Sequence, residues 1–100
     1  MKDKIPVKIK GKIPVSFFKE GRMFVAYSTV LDLSTCGETF EEAKKNFTEA
    51  LSIFIEECIR MGTLVEVLES YGWEKIGKSW QPPAYIGHED VPIPLQHSRS

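Results

Sequence analysis

Few side chains in this sequence are placed to do acid–base, metal or nucleophilic chemistry. Between residues 13 and 38, where the pattern is β-prone, the carboxylates are Glu20, Asp32 and Glu38. A metal-dependent nuclease would need several carboxylates converging on divalent ions that activate water and stabilise the leaving oxygen. Glu20 falls in a glycine-containing turn, and chance placement accounts for three scattered acids. No catalytic set and no metal site are therefore assigned. A nucleophilic or redox-sensing thiol needs a neighbouring cation or base. The sequence has two cysteines, Cys36 and Cys58, and its two histidines, His88 and His97, both lie in the tail. Cys36 reads as a small buried thiol and Cys58 as core packing. The run His88-Glu89-Asp90, beside prolines, reads as a loop rather than a ligand set. No cofactor is expected, which leaves a chain that works by contact.

The element that organises those contacts is the stretch 39–61. Phe40, Ala43, Phe47, Ala50, Leu51, Phe54, Cys58 and Ile59 recur at three- and four-residue steps, the spacing of one helix face. Thr39 is a suitable N-cap, with Glu42 three residues on to complete a capping box. Glu41 and Glu42 suit the positive end of the helix dipole and Arg60 the negative end. Gly62 offers the left-handed stop. A helix of this span is about 33 Å long at 1.5 Å per residue, enough to cross a small sheet.

The sheet comes from the preceding residues. Ile13, Val15 and Phe17 alternate with polar positions, Lys19-Glu20-Gly21-Arg22 interrupts, and Met23 to Tyr27 resumes a β-prone run. That is a hairpin signature. Phe18 and Phe24 read as opposite in parity to the helix-covered face, so a second cover is expected from another chain or from the C-terminal segment. Residues 28–34 read as a loop, and Thr35 to Glu38 as a short third strand, with Gly37 relieving crowding where strand becomes helix. Further upstream, Ile5, Val7 and Ile9 alternate with Pro6 and lysines, an edge strand or arm. Beyond Gly62, Thr63 with Glu66 forms a second capping box for a short helix through Leu64, Val67, Leu68 and Tyr71, ended by Gly72.

With 100 residues and 42% hydrophobic content, the chain has material for one core and not two. A net charge of -1 provides no overall attraction for nucleic acid or an anionic membrane. No apolar run approaches the ~20 residues of a membrane span. Cysteine usage and the absence of a signal-peptide pattern lead to the expectation of a cytoplasmic protein with reduced thiols. The domain is expected to occupy residues 1–95, with its core in 13–73 and an extended tail in 74–95. Residues 96–100 should be disordered. In that tail Trp80, Tyr85 and the run Val91-Pro92-Ile93-Pro94-Leu95 bring apolar side chains into a segment that cannot form a helix. The expectation is that it adds a strand to a sheet, of its own chain or of a neighbour, with a partner-binding arm as the alternative.

The run GRMFVAYSTVLDLSTCGETFEEAKKNF, with its hairpin, its glycine-containing strand and a helix opening T-x-E-E-A at Thr39 to Ala43, resembles the HicB family of antitoxins. The resemblance spans about residues 13–73. It implies an α+β, partial RNase H-like fold, in which an antiparallel three- to four-stranded sheet is backed by one long helix and a short second one. It also implies binding and steric inhibition of a HicA-like mRNA-cleaving ribonuclease toxin, without catalysis, by a homo-oligomer (dimer or tetramer). Such antitoxins often carry a C-terminal helix-turn-helix or ribbon-helix-helix domain. The stretch after Trp73 is short, proline-rich and without helical period, so no direct DNA binding is expected. The candidate partner-binding residues are Asp32 and Glu38, acids that would sit where RNA phosphates go, together with Trp80, Tyr85 and Ile93. A stand-alone homo-oligomeric binding module and a metal-dependent RNase H-like nuclease are the alternatives.

Overall fold

A computed structural model describes residues 9, 12–84 and 86–94. The chain runs through β1 (Ser16–Glu20), β2 (Met23–Ser28), β3 (Leu33–Gly37), the long helix α1 (Phe40–Met61), the short helix α2 (Leu64–Ser70), β4 (Glu74–Ile76) and β5 (Ser79–Gln81). The first three strands form an antiparallel sheet in the order β1-β2-β3, and β4 and β5 form a separate two-stranded hairpin. The α+β architecture is as the sequence leads one to expect.

The β1–β2 turn decides the sheet's faces. Glu20 pairs with Met23 across Gly21-Arg22, and Gly21 takes φ 62°, the left-handed conformation such a two-residue turn requires. This register sets Phe17 opposite Ala26 and Lys19 opposite Phe24. Phe24 therefore lies on the helix side with Phe17, not on the far side with Phe18 as simple parity suggests. Crossing a two-residue turn pairs odd positions with even ones, so parity inverts between the strands. The helix side carries Ala26, Ser28, Thr35 and Gly37; the open side carries Phe18, Val25, Tyr27, Ser34 and Cys36.

α1 begins at Thr39, whose hydroxyl accepts from the Glu42 amide at 3.0 Å. The Glu42 carboxylate accepts from the Glu38 amide at 2.6 Å, one residue earlier than an ideal capping box. It ends at Gly62, φ 73°, where the Gly62 and Thr63 amides donate to Ile59 and Cys58 carbonyls. Ala43, Phe47 and Cys58 are its buried residues. Ala43 and Phe47 pack with Ala26, while Cys58 joins Val30, Leu31, Leu64, Leu68, Trp73 and Trp80 in a second cluster. Phe40 is instead 40% exposed, its ring against Phe17 at 4.6 Å. At α2 the expected second capping box does not form, since the Thr63 side chain makes no capping hydrogen bond. Gly72, φ 86°, follows the helix end at Tyr71.

Three further expectations are overturned. The segment 28–34 is not a plain loop: the turn is confined to 29–32, Leu33 already belongs to β3, and Val30 and Leu31 are buried in the core. Cys36 is exposed, because its pairing with Val25 aims it at the open side of the sheet; Cys58 is buried as expected. The 74–95 tail adds no strand to the three-stranded sheet among the described residues. Its strands pair with each other, and Ile9 forms an isolated parallel bridge to Trp80. The remaining arm positions expected in the edge segment, residues 1–8 and 10, and the disorder expected at 96–100, lie outside the described residues.

Gly37 is the tightest point of the fold. A Cβ there would lie 2.6 Å from the Ala43 amide nitrogen and 2.9 Å from the Glu42 carbonyl carbon, both backbone atoms that cannot swing aside. Gly37→Ala is expected to lower stability by about 1–3 kcal/mol through this overpacking. Urea denaturation checks it, and an unchanged midpoint would show that strand and helix can separate freely.

Candidate functional site

Among the described residues, the three-stranded sheet has one covered side and one open side. α1 lies over β3 and β2, because the small residues Ala26, Gly37 and Ala43 let helix and strands approach closely. On the other side, Phe18, Glu20, Val25, Tyr27, Ser34 and Cys36 line a shallow concavity of about 480 Å³. Phe18 is 45% exposed there. Alternation along each strand produces this surface: once Phe17, Ala26 and Thr35 face the helix, their neighbours must face outward.

At one end of this surface stands Asp32. It closes the β2–β3 turn with φ 50°, a left-handed conformation that aspartate tolerates better than most residues. Its carboxylate accepts a hydrogen bond from the Tyr27 hydroxyl at 2.9 Å. That bond, with smaller contributions from desolvation and from the charge of Asp32, holds the Tyr27 phenol above its ordinary pKa. Ionising Tyr27 would break the bond and set two negative charges together. Asp32 thus presents one negative charge at the rim, fixed in direction by the turn and the phenol.

The other candidate positions are dispersed. Glu38 is exposed at the opposite end of β3 from Asp32, about 20 Å away at the ~3.3 Å rise of a strand. Its amide serves the helix cap through Glu42. Glu20 lies at the Glu38 end, so the three acids do not converge on one point. Among the described residues no group of three or more His, Cys, Asp or Glu is arranged to hold a metal ion. Trp80 is 7% exposed and packs in the core cluster with Trp73. Its partner-binding assignment gives way to a packing role, because an indole enclosed by its own chain has no surface to offer. Ile93 is 86% exposed. Tyr85 lies outside the described residues. His88, Glu89 and Asp90 are exposed.

Val25 and Tyr27 are site residues that the sequence pattern did not single out, and Cys36, read there as buried, joins them on the open side. The signal was present: a two-residue turn centred on Gly21-Arg22 sets which residues of β2 share the side of Phe18. No described helix is long and apolar enough to cross a membrane. Compared with known proteins, the chain matches no family model, no curated protein and no solved structure.

Proposed function

We propose that this chain is a HicB-like antitoxin domain, a protein-binding module that neutralises a small HicA-like ribonuclease toxin by covering its RNA-binding surface. The observation that carries this reading is the open side of the sheet, where Phe18, Val25 and Tyr27 form an apolar floor and Asp32 stands at the rim. An inhibitor of an RNA-binding protein gains specificity and association rate by offering acids where phosphates would lie, around an apolar centre that excludes water. Glu38, on the far end of β3, would meet a second basic region of the same partner, and the exposed Ile93 would extend the contact. Inhibition of this kind requires no catalytic group and no cofactor, and a cytoplasmic toxin places the pair in the cytoplasm.

The test is co-expression with the small protein encoded beside the gene, reading rescue of growth and co-elution as a complex of defined mass. Val25→Lys, on the open side, is expected to abolish rescue while leaving thermal melting within a few degrees of the parent. Asp32→Lys is expected to slow complex formation, more so at low salt, where charge steering is strongest. A toxic neighbour that still binds the Val25→Lys protein at full strength would remove the sheet from the interface. A non-toxic neighbour, or no complex, would favour a stand-alone homo-oligomeric binding module, a reading that the fully exposed strand β1 also supports.

A further inference from the structure

We infer that Tyr27, Asp32 and Tyr71 form one corner that reads an arginine side chain of a basic partner, the guanidinium lying on a phenol ring while it donates to the Asp32 carboxylate. This rests on the reading of the open side as a partner surface and names the group recognised there.

The corner is assembled from three parts of the chain. Tyr27 stands on the open side of β2, and its hydroxyl donates to Oδ1 of Asp32 at 2.9 Å. That leaves the lone pairs of Oδ2 to accept from outside the chain. Asp32 is exposed, and among the described residues no lysine or arginine pairs with it. A carboxylate aimed by one bond and left without a cation is set up to take one. Among the described residues no tyrosine hydroxyl aims Glu20 or Glu38 in this way.

Tyr71 comes to the same corner through Trp73. The Trp73 indole donates to the Val30 carbonyl at 2.8 Å, and Tyr71 and Asp32 each lie two positions along the chain from that bond. They come close enough that Tyr71, after the larger effects of the Asp32 bond, desolvation and the Asp32 charge, helps to hold the Tyr27 phenol above its ordinary pKa. Tyr71 is 37% exposed, so its ring is open to a ligand.

This chemistry favours guanidinium over ammonium. On an exposed rim a bare ion pair contributes little, so a second contact has to add to it. A lysine ammonium is a compact, strongly hydrated point charge with no plane to stack. A guanidinium is more weakly hydrated, and its flat face covers a phenol ring while its edge donates to the carboxylate. Tyrosines beside an acid supply both contacts at once.

The test titrates the isotope-labelled full chain with N-acetyl-arginine amide and, at equal ionic strength, with N-acetyl-lysine amide, reading amide chemical shifts. The arginine probe should bind with a dissociation constant on the order of 10 mM, moving the signals of Tyr27, Asp32 and Tyr71, and the lysine probe about threefold or more weakly. Asp32→Asn keeps a side chain that tolerates the left-handed turn but removes the charge, and should weaken arginine binding by about fivefold. Tyr27→Phe keeps the ring and releases the carboxylate, whereas Tyr71→Ala removes a ring; each should weaken binding by about twofold to threefold. Comparing the two probes on the parent chain needs no variant, so it stands whether or not a variant folds. Equal affinity for the two probes, or shifts that leave Asp32 and Tyr71 untouched, would overturn the proposal and leave the antitoxin reading to the co-expression test. Arginine-selective binding at this corner, in a chain whose neighbour is not toxic, would uphold the site and overturn the antitoxin reading.

Discussion

Trp73→Ala is expected to destabilise the fold by about 3–5 kcal/mol, the cost of truncating a large buried aromatic. Trp73 is 4% exposed and sits between α2 and the β2–β3 turn, in the cluster that also holds Val30, Leu31 and Leu68. Its indole nitrogen donates to the Val30 carbonyl at 2.8 Å in a buried site, so truncation also leaves an acceptor without a partner. Domains of this size hold only about 5–15 kcal/mol in total, so the variant should be marginal at ambient temperature. Trp73→Phe separates the two causes: it keeps most of the packing and removes the hydrogen bond, and its loss should be clearly smaller. Denaturant melts of both proteins decide. A Trp73→Ala protein that melts with the parent would mean that the C-terminal cluster contributes nothing to the cooperative unit.

Phe47→Asp is expected to prevent folding altogether. Phe47 is 4% exposed and packs, with Ala43, against Ala26 on the helix side of the sheet. A carboxylate there would be buried with no cation beside it, and desolvating an unpaired charge costs several kcal/mol or forces its neutralisation. Two comparisons isolate the cause. Phe47→Leu, hydrophobic and of similar reach, should cost less than about 1.5 kcal/mol. Ile53→Asp, on the same helix but at a site 60% exposed, should be tolerated, which would show that an aspartate in α1 is not itself the problem. Circular dichroism and soluble yield are sufficient readouts. Phe47→Asp folding as well as Ile53→Asp would mean that the buried face of α1 has been misassigned.

Both predictions concern positions of different legibility. Phe47 belongs to a long amphipathic helix whose boundaries are written locally, in Thr39, Glu42 and Gly62, each of which caps the helix through its own conformation or side chain. Gly37 was legible for a related reason: a glycine just before a helix N-terminus marks a close backbone approach, and the 2.6 Å Cβ contact is that approach. Val30 and Leu31 were not legible as core, because no period runs through a four-residue turn. They are buried by residues far along the chain, Cys58, Leu64, Leu68, Trp73 and Trp80, with the Trp73 indole donating to the Val30 carbonyl from 43 positions away. Trp80 was read as available to a partner for the same reason. The two-residue turn Gly77-Lys78 is the same kind of hairpin signal as Gly21-Arg22, but nothing within 74–81 reveals that the indole is enclosed with Trp73.

The open side of the sheet lies between these cases. Part of its membership follows from one turn: Glu20 opposite Met23 determines that Phe18, Val25 and Tyr27 share a side, whereas Cys36 joins them through the separate β2–β3 register. The sequence by itself determined the first hairpin, the long helix and the short helix, their order and the caps of α1, because helix and strand periodicities and capping hydrogen bonds span only a few residues. Tertiary structure alone decided that Cys36 is exposed, that Asp32 and Glu38 stand at opposite ends of a strand, and that β1 overhangs the helix. Those outcomes depend on strand register and on where α1 comes to rest, which are set by contacts between residues far apart in the chain.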